Sequence, residues 1–281
     1  MTAPLNDRIA RFYDASTPLW LDTWGEHMHH GYYGAHGRAR KSDRRAQLDM
    51  ISEVLTFAAP AGEVRDVLDA GCGVGGSSRL LALRFGADVT GVTLSPVQAA
   101  RGNLLSERAG LRDSVELVAA DMLAFGAPAS YDLVWSLESA EHIADKRGML
   151  EHFYEVLRPG GTLALVTWCH RATPPALGER ERYVLRRVCD LYHLPAWVSV
   201  GDYEAMASEA GFTGIRAADW SAAVAPFWPA VIRSAASLAS VRGLIAAGRE
   251  TVLGAYAMRY MREGFRRGLV RFGVLRMTKP T

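Results

Sequence analysis

Ten residues constrain this chain more than any other stretch: Val67-Leu68-Asp69-Ala70-Gly71-Cys72-Gly73-Val74-Gly75-Gly76. An apolar pair closes a strand, an acid follows at once, and glycines then let the backbone turn tightly against a ligand before a helix begins. Gly71, Gly73 and Gly76 also spell Gly-x-Gly-x-x-Gly, the turn of dinucleotide enzymes. That version needs an acid about 20 residues further on, at the end of the second strand, to hold a ribose. The segment there reads Gly91-Val92-Thr93-Leu94-Ser95 and has no acid. Asp69, two residues ahead of the first glycine, instead suits a cofactor with an amino acid tail, whose ammonium it would orient while glycine amides hold the polar end. The stretch points to S-adenosylmethionine rather than to a nicotinamide or flavin dinucleotide.

From Val64 onward, strand and helix patterns alternate, the signature of a parallel sheet with helices on both faces. Five strands are read at Val64 to Asp69, Asp88 to Thr93, Val115 to Ala119, Tyr131 to Ser136 and Gly161 to Trp168. Two more follow at Gly214 to Ser221 and Leu269 to Lys279, and helices are expected at Gly76 to Phe85, Pro96 to Ala109 and Lys146 to Leu157. The expected fold is α/β, a doubly wound, Rossmann-like sheet of seven strands. Residues 1–62 form a helical lid, residues 63–281 the cofactor-binding domain, and a helical cap at about 222–267 is inserted between the last two strands.

A net charge of +2 and the absence of basic stretches interleaved with aromatics exclude nucleic acid as a partner. Cys72, Cys169 and Cys189 are odd in number and lack metal-ligand spacing, which fits a reducing compartment. His27, His29, His30 and His36 lie close in sequence, but no Cys, Asp or Glu completes a ligand pattern, so no metal is expected. No secretory signal or spanning apolar run is visible. The expectation is a cytoplasmic protein with at most a membrane-surface contact; the sequence does not set its oligomeric state.

In open α/β sheets ligands lie at the carboxyl ends of strands. This selects Thr93 and Leu94 after the second strand, Asp121 and Met122 after the third, and Ser136 after the fourth. Asp121 could accept the adenine amine, Met122 or Leu94 could pack on the ring, and Thr93 could reach a ribose hydroxyl. Gly75 and Gln98 complete the cofactor set with Asp69, Gly71 and Gly73.

Val67 to Gly76, Thr93 to Gln98 and Leu133-Val134-Trp135-Ser136-Leu137-Glu138-Ser139 together resemble the class I S-adenosylmethionine methyltransferases, and more specifically the γ-tocopherol methyltransferase family. The likeness extends through Trp24 to Tyr33, Val166 to Arg171, Ala218 to Ser221 and Ala225 to Trp228. It implies methyl transfer to a small apolar acceptor, the ring carbon beside the hydroxyl of γ-tocopherol or a similar prenylated phenol. Ala140 and Ile143 depart from the family, which usually carries Gly and Met there. Amine N-methyltransferases of the alkaloid type resemble the same blocks, so they, and enzymes methylating carbon in another apolar natural product, stay as alternatives.

A phenol with a pKa of about 10 needs a positioned base near neutral pH. If Glu138-Ser139-Ala140-Glu141-His142 starts a helical turn, Glu138, Glu141 and His142 fall at i, i+3 and i+4 and share a face. The expected catalytic set is therefore His142 as base, Glu141 fixing its tautomer, and Glu138 as orienter. A similar Glu-x-x-Glu-His in related N-methyltransferases and cyclopropane synthases implies the same placement. Tyr13, Trp20 or Tyr32 is expected to close over the site. His29, Tyr32, His170 and Trp228 are the candidate acceptor contacts.

Overall fold

Strand-forming residues here are apolar on successive positions, so both faces of each central strand must be covered. A computed structural model, which describes residues 5–229 and 249–281, shows how. Seven strands form one sheet in the order β3-β2-β1-β4-β5-β7-β6. They are β1 (Asp66–Ala70), β2 (Asp88–Thr93), β3 (Val115–Ala119), β4 (Tyr131–Leu137), β5 (Leu157–His170), β6 (Thr213–Asp219) and β7 (Val270–Thr278). β1 to β5 pair in parallel, while β7 runs antiparallel between β5 and β6, with Thr162 opposite Thr278 and His170 opposite Val270.

Alternation along the strands divides the core in two. Val67, Leu133, Trp135, Val166 and Phe272 face one side, where Met50, Ile51 and Val54 of α2 (Asp43–Ala58) and Leu81 of α3 (Gly76–Phe85) join them. Leu68, Val134, Leu163, Leu165 and Leu275 face the other, against Met149, Leu150 and Phe153 of α5 (Lys146–Val156) and Tyr203 of α7 (Val200–Glu209). Between these helices lie α4 (Pro96–Arg108), which starts on the Ser95 cap with Pro96 in its first turn, and α6 (Glu179–Tyr192).

α6 and α7 are absent from the sequence reading. In α6 only Val184, Leu185 and Val188 are buried, and the rest of the helix is largely charged or polar, leaving a narrow apolar stripe. Ahead of the sheet stands α1 (Leu5–Trp24). Of the segment expected as a cap, α8 (Ser221–Val224) and α9 (Arg249–Arg266) are described. Residues 230–248, with the remainder of that expectation, lie outside the described residues.

Candidate active site

The carboxyl ends of β1 and β2 and the loop after β3 open into a cavity with about 1000 Å³ of empty space, its mouth included. Asp69, Gly71, Gly73, Thr93, Leu94, Gln98, Asp121 and Met122 line it; Gly75 and Ser136 do not. Gly75 is the N-cap of α3, at φ 75°. Ser136 is turned into a buried chain of hydroxyls, 2.8 Å from Ser139 Oγ, which donates to the Ala70 carbonyl at 2.7 Å. Both therefore shape the glycine turn from behind.

The turn needs its glycines for two different reasons. A Cβ on Gly71, at φ +89°, would lie 2.2 Å from Ser139 Cβ, so only glycine lets the two loops touch. At Gly73 it is the φ of +56° that favours glycine, since a Cβ there would meet nothing nearer than Met28 Sδ at 4.0 Å. Asp69 is buried, and its Oδ2 accepts from Ser78 Oγ at 2.6 Å. Burial pushes its carboxyl up to about 7, against the pull of Ser78 and Arg79. Among the described residues Asp69 forms no ion pair, and a buried acid without a cation is completed by an ammonium. Thr93 Oγ1 donates to Gln98 Oε1 at 2.8 Å. Asp121 accepts from Leu123 N at 3.0 Å and from Asn6 Nδ2 at 2.7 Å. A carboxylate, an open glycine turn and a polar-plus-apolar pair at Asp121 and Met122 fit the parts of S-adenosylmethionine.

Two N-terminal elements form the rest of the wall. α1 contributes Asn6, Ile9 and Tyr13, and is tied to the cap of α4 by a hydrogen bond from Ser95 Oγ to Asp14. The following loop contributes Glu26, His27, Met28 and His29. It is held by Arg79 Nη2 donating to Glu26 Oε2 at 2.6 Å and by Gln47 Nε2 donating to the carbonyls of His27 and His29.

At the reacting end Glu138, His142 and Ile143 line the cavity, but the three expected catalytic residues are not brought together. Glu138 adopts φ +54°, and Ala140–His142 forms a single 3₁₀ turn rather than the start of an α-helix. The shared face therefore does not form. Glu138 Oε1 accepts from His30 N and Oε2 from His30 Nδ1, both at 2.6 Å, with Trp168 Nε1 donating at 3.3 Å. Burial opposes the Glu138 charge, but the charge and hydrogen bonds of His30 outweigh it and hold the carboxyl below its ordinary value. Glu141 is buried away from the cavity and accepts from Thr167 Oγ1 at 3.0 Å. Burial, then the Glu138 charge, pushes it up to about 8.

His142 meets a residue that sequence spacing does not connect to it: its Nε2 lies 3.1 Å from Tyr13 OH. Burial, then the Lys146 ammonium, lowers His142 to about 4, so the ring is neutral at pH 7. Burial, then Glu141 and Glu138, raises Tyr13, which keeps its proton, and its hydroxyl shares one hydrogen bond with Nε2.

Of the acceptor candidates, His29 alone lines this cavity. It is buried, its Nδ1 donates to the His30 carbonyl at 2.9 Å, and its Nε2 has no partner among the described residues. Tyr32 packs against Trp220 with ring centroids 5.1 Å apart and the planes tilted by 57°. His170 turns to the Arg171 carbonyl at 2.7 Å. Trp228 packs against His30 at 5.0 Å and Trp168 at 5.7 Å, in the aromatic box behind Glu138. Tyr32 and Trp228 are drawn off by neighbours distant in sequence, and His170 by the residue next to it.

Residues 68–165 match the family model described as a methyltransferase domain. A probable tocopherol O-methyltransferase, chloroplastic, from Oryza sativa subsp. japonica is 46% identical over 98% of this chain and 79% of its own length. Tocopherol O-methyltransferase, chloroplastic, from Arabidopsis thaliana is 41% identical over 99% of this chain and 84% of its own. Among solved structures, geranyl diphosphate C-methyltransferase from Streptomyces coelicolor A3(2), in complex with S-adenosyl-L-homocysteine, has a TM-score of 0.78 at 20% identity, covering 99% of this chain and 98% of that one. The plant relatives correct the cytoplasmic location read from the sequence, because both are chloroplastic. A low cysteine count fits a reducing compartment and does not tell a plastid from the cytosol. Among the described residues no helix is long and apolar enough to cross a membrane.

Proposed function

The chain belongs to the tocopherol O-methyltransferase family of S-adenosylmethionine-dependent methyltransferases, and from that premise we propose that it methylates the ring carbon beside the hydroxyl of γ-tocopherol or a similar prenylated phenol. The observation that carries this reading is the Tyr13 to His142 contact of 3.1 Å, which sets a neutral imidazole in the same cavity wall as the glycine turn.

S-adenosylmethionine, when bound, supplies a sulfonium methyl group. Asp69 would hold the ammonium of its tail, Gly71 and Gly73 the carboxyl end, Thr93 and Gln98 the ribose, and Asp121, Met122 and Leu94 the adenine. Holding donor and acceptor in line supplies much of the rate of such a displacement. His142 Nε2, directly or through the Tyr13 hydroxyl, takes the phenolic proton and makes the ring carbon nucleophilic. That carbon would take the methyl group, the carbon–sulfur bond breaking with its electron pair left on sulfur. The ring carbon then loses its hydrogen as a proton, the phenol is restored, and the net proton leaves to solvent. His29 Nε2 would steer the acceptor hydroxyl.

Glu138 and Glu141 are assigned to holding the wall, because their oxygens are taken by His30 and Thr167. α1, which supplies Tyr13, is assigned as the lid. A prenylated acceptor resides in a bilayer. We assign the surface contact to the face where Arg180 lies over Tyr183 at 5.1 Å and Arg259 over Tyr256 at 3.8 Å, the pairing of cation and amphipathic ring that suits a lipid interface. Methylation of the ring carbon is tested by supplying methyl-labelled S-adenosylmethionine and locating the label in the product. Vesicle sedimentation with and without anionic lipid tests the surface.

A further inference from the structure

One buried cation in this molecule stands where both burial and the helix dipole disfavour it. Lys146 is the first residue of α5, behind the Asp145 cap, and is 5% exposed. The positive end of a helix repels a cation there. Its ammonium donates to the Ala140 carbonyl at 2.8 Å, to that of Glu141 at 3.3 Å and to that of Ile143. These three carbonyls belong to the 3₁₀ turn that carries His142 and to the residue just after it. Within the turn Ile143 N also donates to the Ala140 carbonyl at 3.1 Å; the ammonium supplies a donor to the other two, and unsatisfied carbonyls are costly.

The chain has three lysines, Lys41, Lys146 and Lys279, among many arginines. A compact ammonium with three rotatable donors reaches three converging carbonyls, which a planar guanidinium cannot. We propose that Lys146 is a positioning residue of the active site: it clamps the turn that presents His142 to Tyr13 and sets its charge beside that ring.

This rests on the reading of His142 as the base. His142 is faced by the Tyr13 hydroxyl from α1 and by the Lys146 charge, which with burial lowers its pKa. Lys146 is faced by Glu141 from the turn, Cys169 from β5 and Cys189 from α6, which support its charge, while burial lowers it to about 8. Removing the charge must raise the pKa of His142. The acid limb of the rate, set by protonation of the base, then moves to higher pH.

The test is the imidazole titration of His142 followed by proton NMR, its signal assigned by loss in His142→Gln. Wild type is compared with Lys146→Gln, Lys146→Met and Lys146→Arg; the two neutral variants ensure that one folded form without the charge is available. The neutral variants are expected to titrate about one unit higher, the size of effect a nearby charge has, and the arginine variant close to wild type. The acid limb of kcat should move with them, while cofactor Kd stays unchanged. A His142 titration that is the same in the neutral variants overturns the proposal. If the titration moves and the kcat profile does not, the role of Lys146 stands and the assignment of His142 as base falls.

Discussion

Tyr13 OH lies 3.1 Å from His142 Nε2, although 129 positions separate them in the chain. The hydroxyl comes from the N-terminal helix and the imidazole from the turn after β4, so the pair exists only when α1 is seated on the sheet.

His142→Ala is expected to lower kcat by about 10²- to 10⁴-fold, the usual worth of a positioned acid or base, with cofactor affinity nearly unchanged. Tyr13→Phe should fall between this variant and wild type, since Nε2 remains. Steady-state kinetics beside calorimetric cofactor titration check both, and unchanged turnover in His142→Ala removes that residue from the mechanism.

Asp69→Asn is expected to weaken cofactor binding by roughly 10- to 100-fold, the size of one charge-assisted hydrogen bond, with a smaller effect on kcat at saturation. The wild-type carboxyl is pushed up to about 7 by burial, so below that pH it is protonated and the ammonium loses its countercharge. Cofactor affinity should accordingly fall as pH drops from 8 to 6 in wild type and stay nearly flat in Asp69→Asn, as isothermal titration at each pH would show.

Glu138→Ala should destabilise the fold by about 3–5 kcal/mol, because it leaves His30 buried without its partner. His30 packs between Trp168 at 4.8 Å and Phe227 at 4.5 Å, where water cannot readily replace the carboxylate. Urea denaturation reads the loss. Normal stability with abolished turnover would instead make Glu138 part of the chemistry.

Glu141 gives a pH-dependent signature of stability. Its carboxyl is raised from 4.5 to about 8, so the folded chain holds a proton that the unfolded chain releases. The contribution is fully present below pH 4.5 and is lost as pH rises through 8. Glu141→Gln stays neutral at every pH, so its melting temperature relative to wild type should rise steadily from pH 5 to 8. A constant difference would show that Glu141 is already ionised at pH 5.

Much of the cofactor half was legible in the sequence because it depends on local rules. An apolar strand, an acid and a glycine turn must occur in that order, and eight of the ten cofactor candidates line one cavity. Gly75 and Ser136 fall behind the wall, since which side of a tight turn faces outward is set by the loop packed on it, here Ser139. The reacting end was misread for a related reason. Helical spacing assumes helical backbone, and Glu138 has a positive φ that no sequence rule anticipates for a glutamate. Its partner, His30, lies 108 residues away. Lys146 left one faint sign, a lysine in a chain that otherwise favours arginine.

The most direct test of the central claim is to incubate the purified protein with methyl-labelled S-adenosylmethionine and a panel of γ- and δ-tocopherol, other prenylated phenols and tryptamine-derived amines, and to locate the label by mass spectrometry. The account predicts label on the ring carbon beside the hydroxyl of a prenylated phenol, lost in His142→Ala. Label on an amine alone, with the phenols untouched, would contradict it.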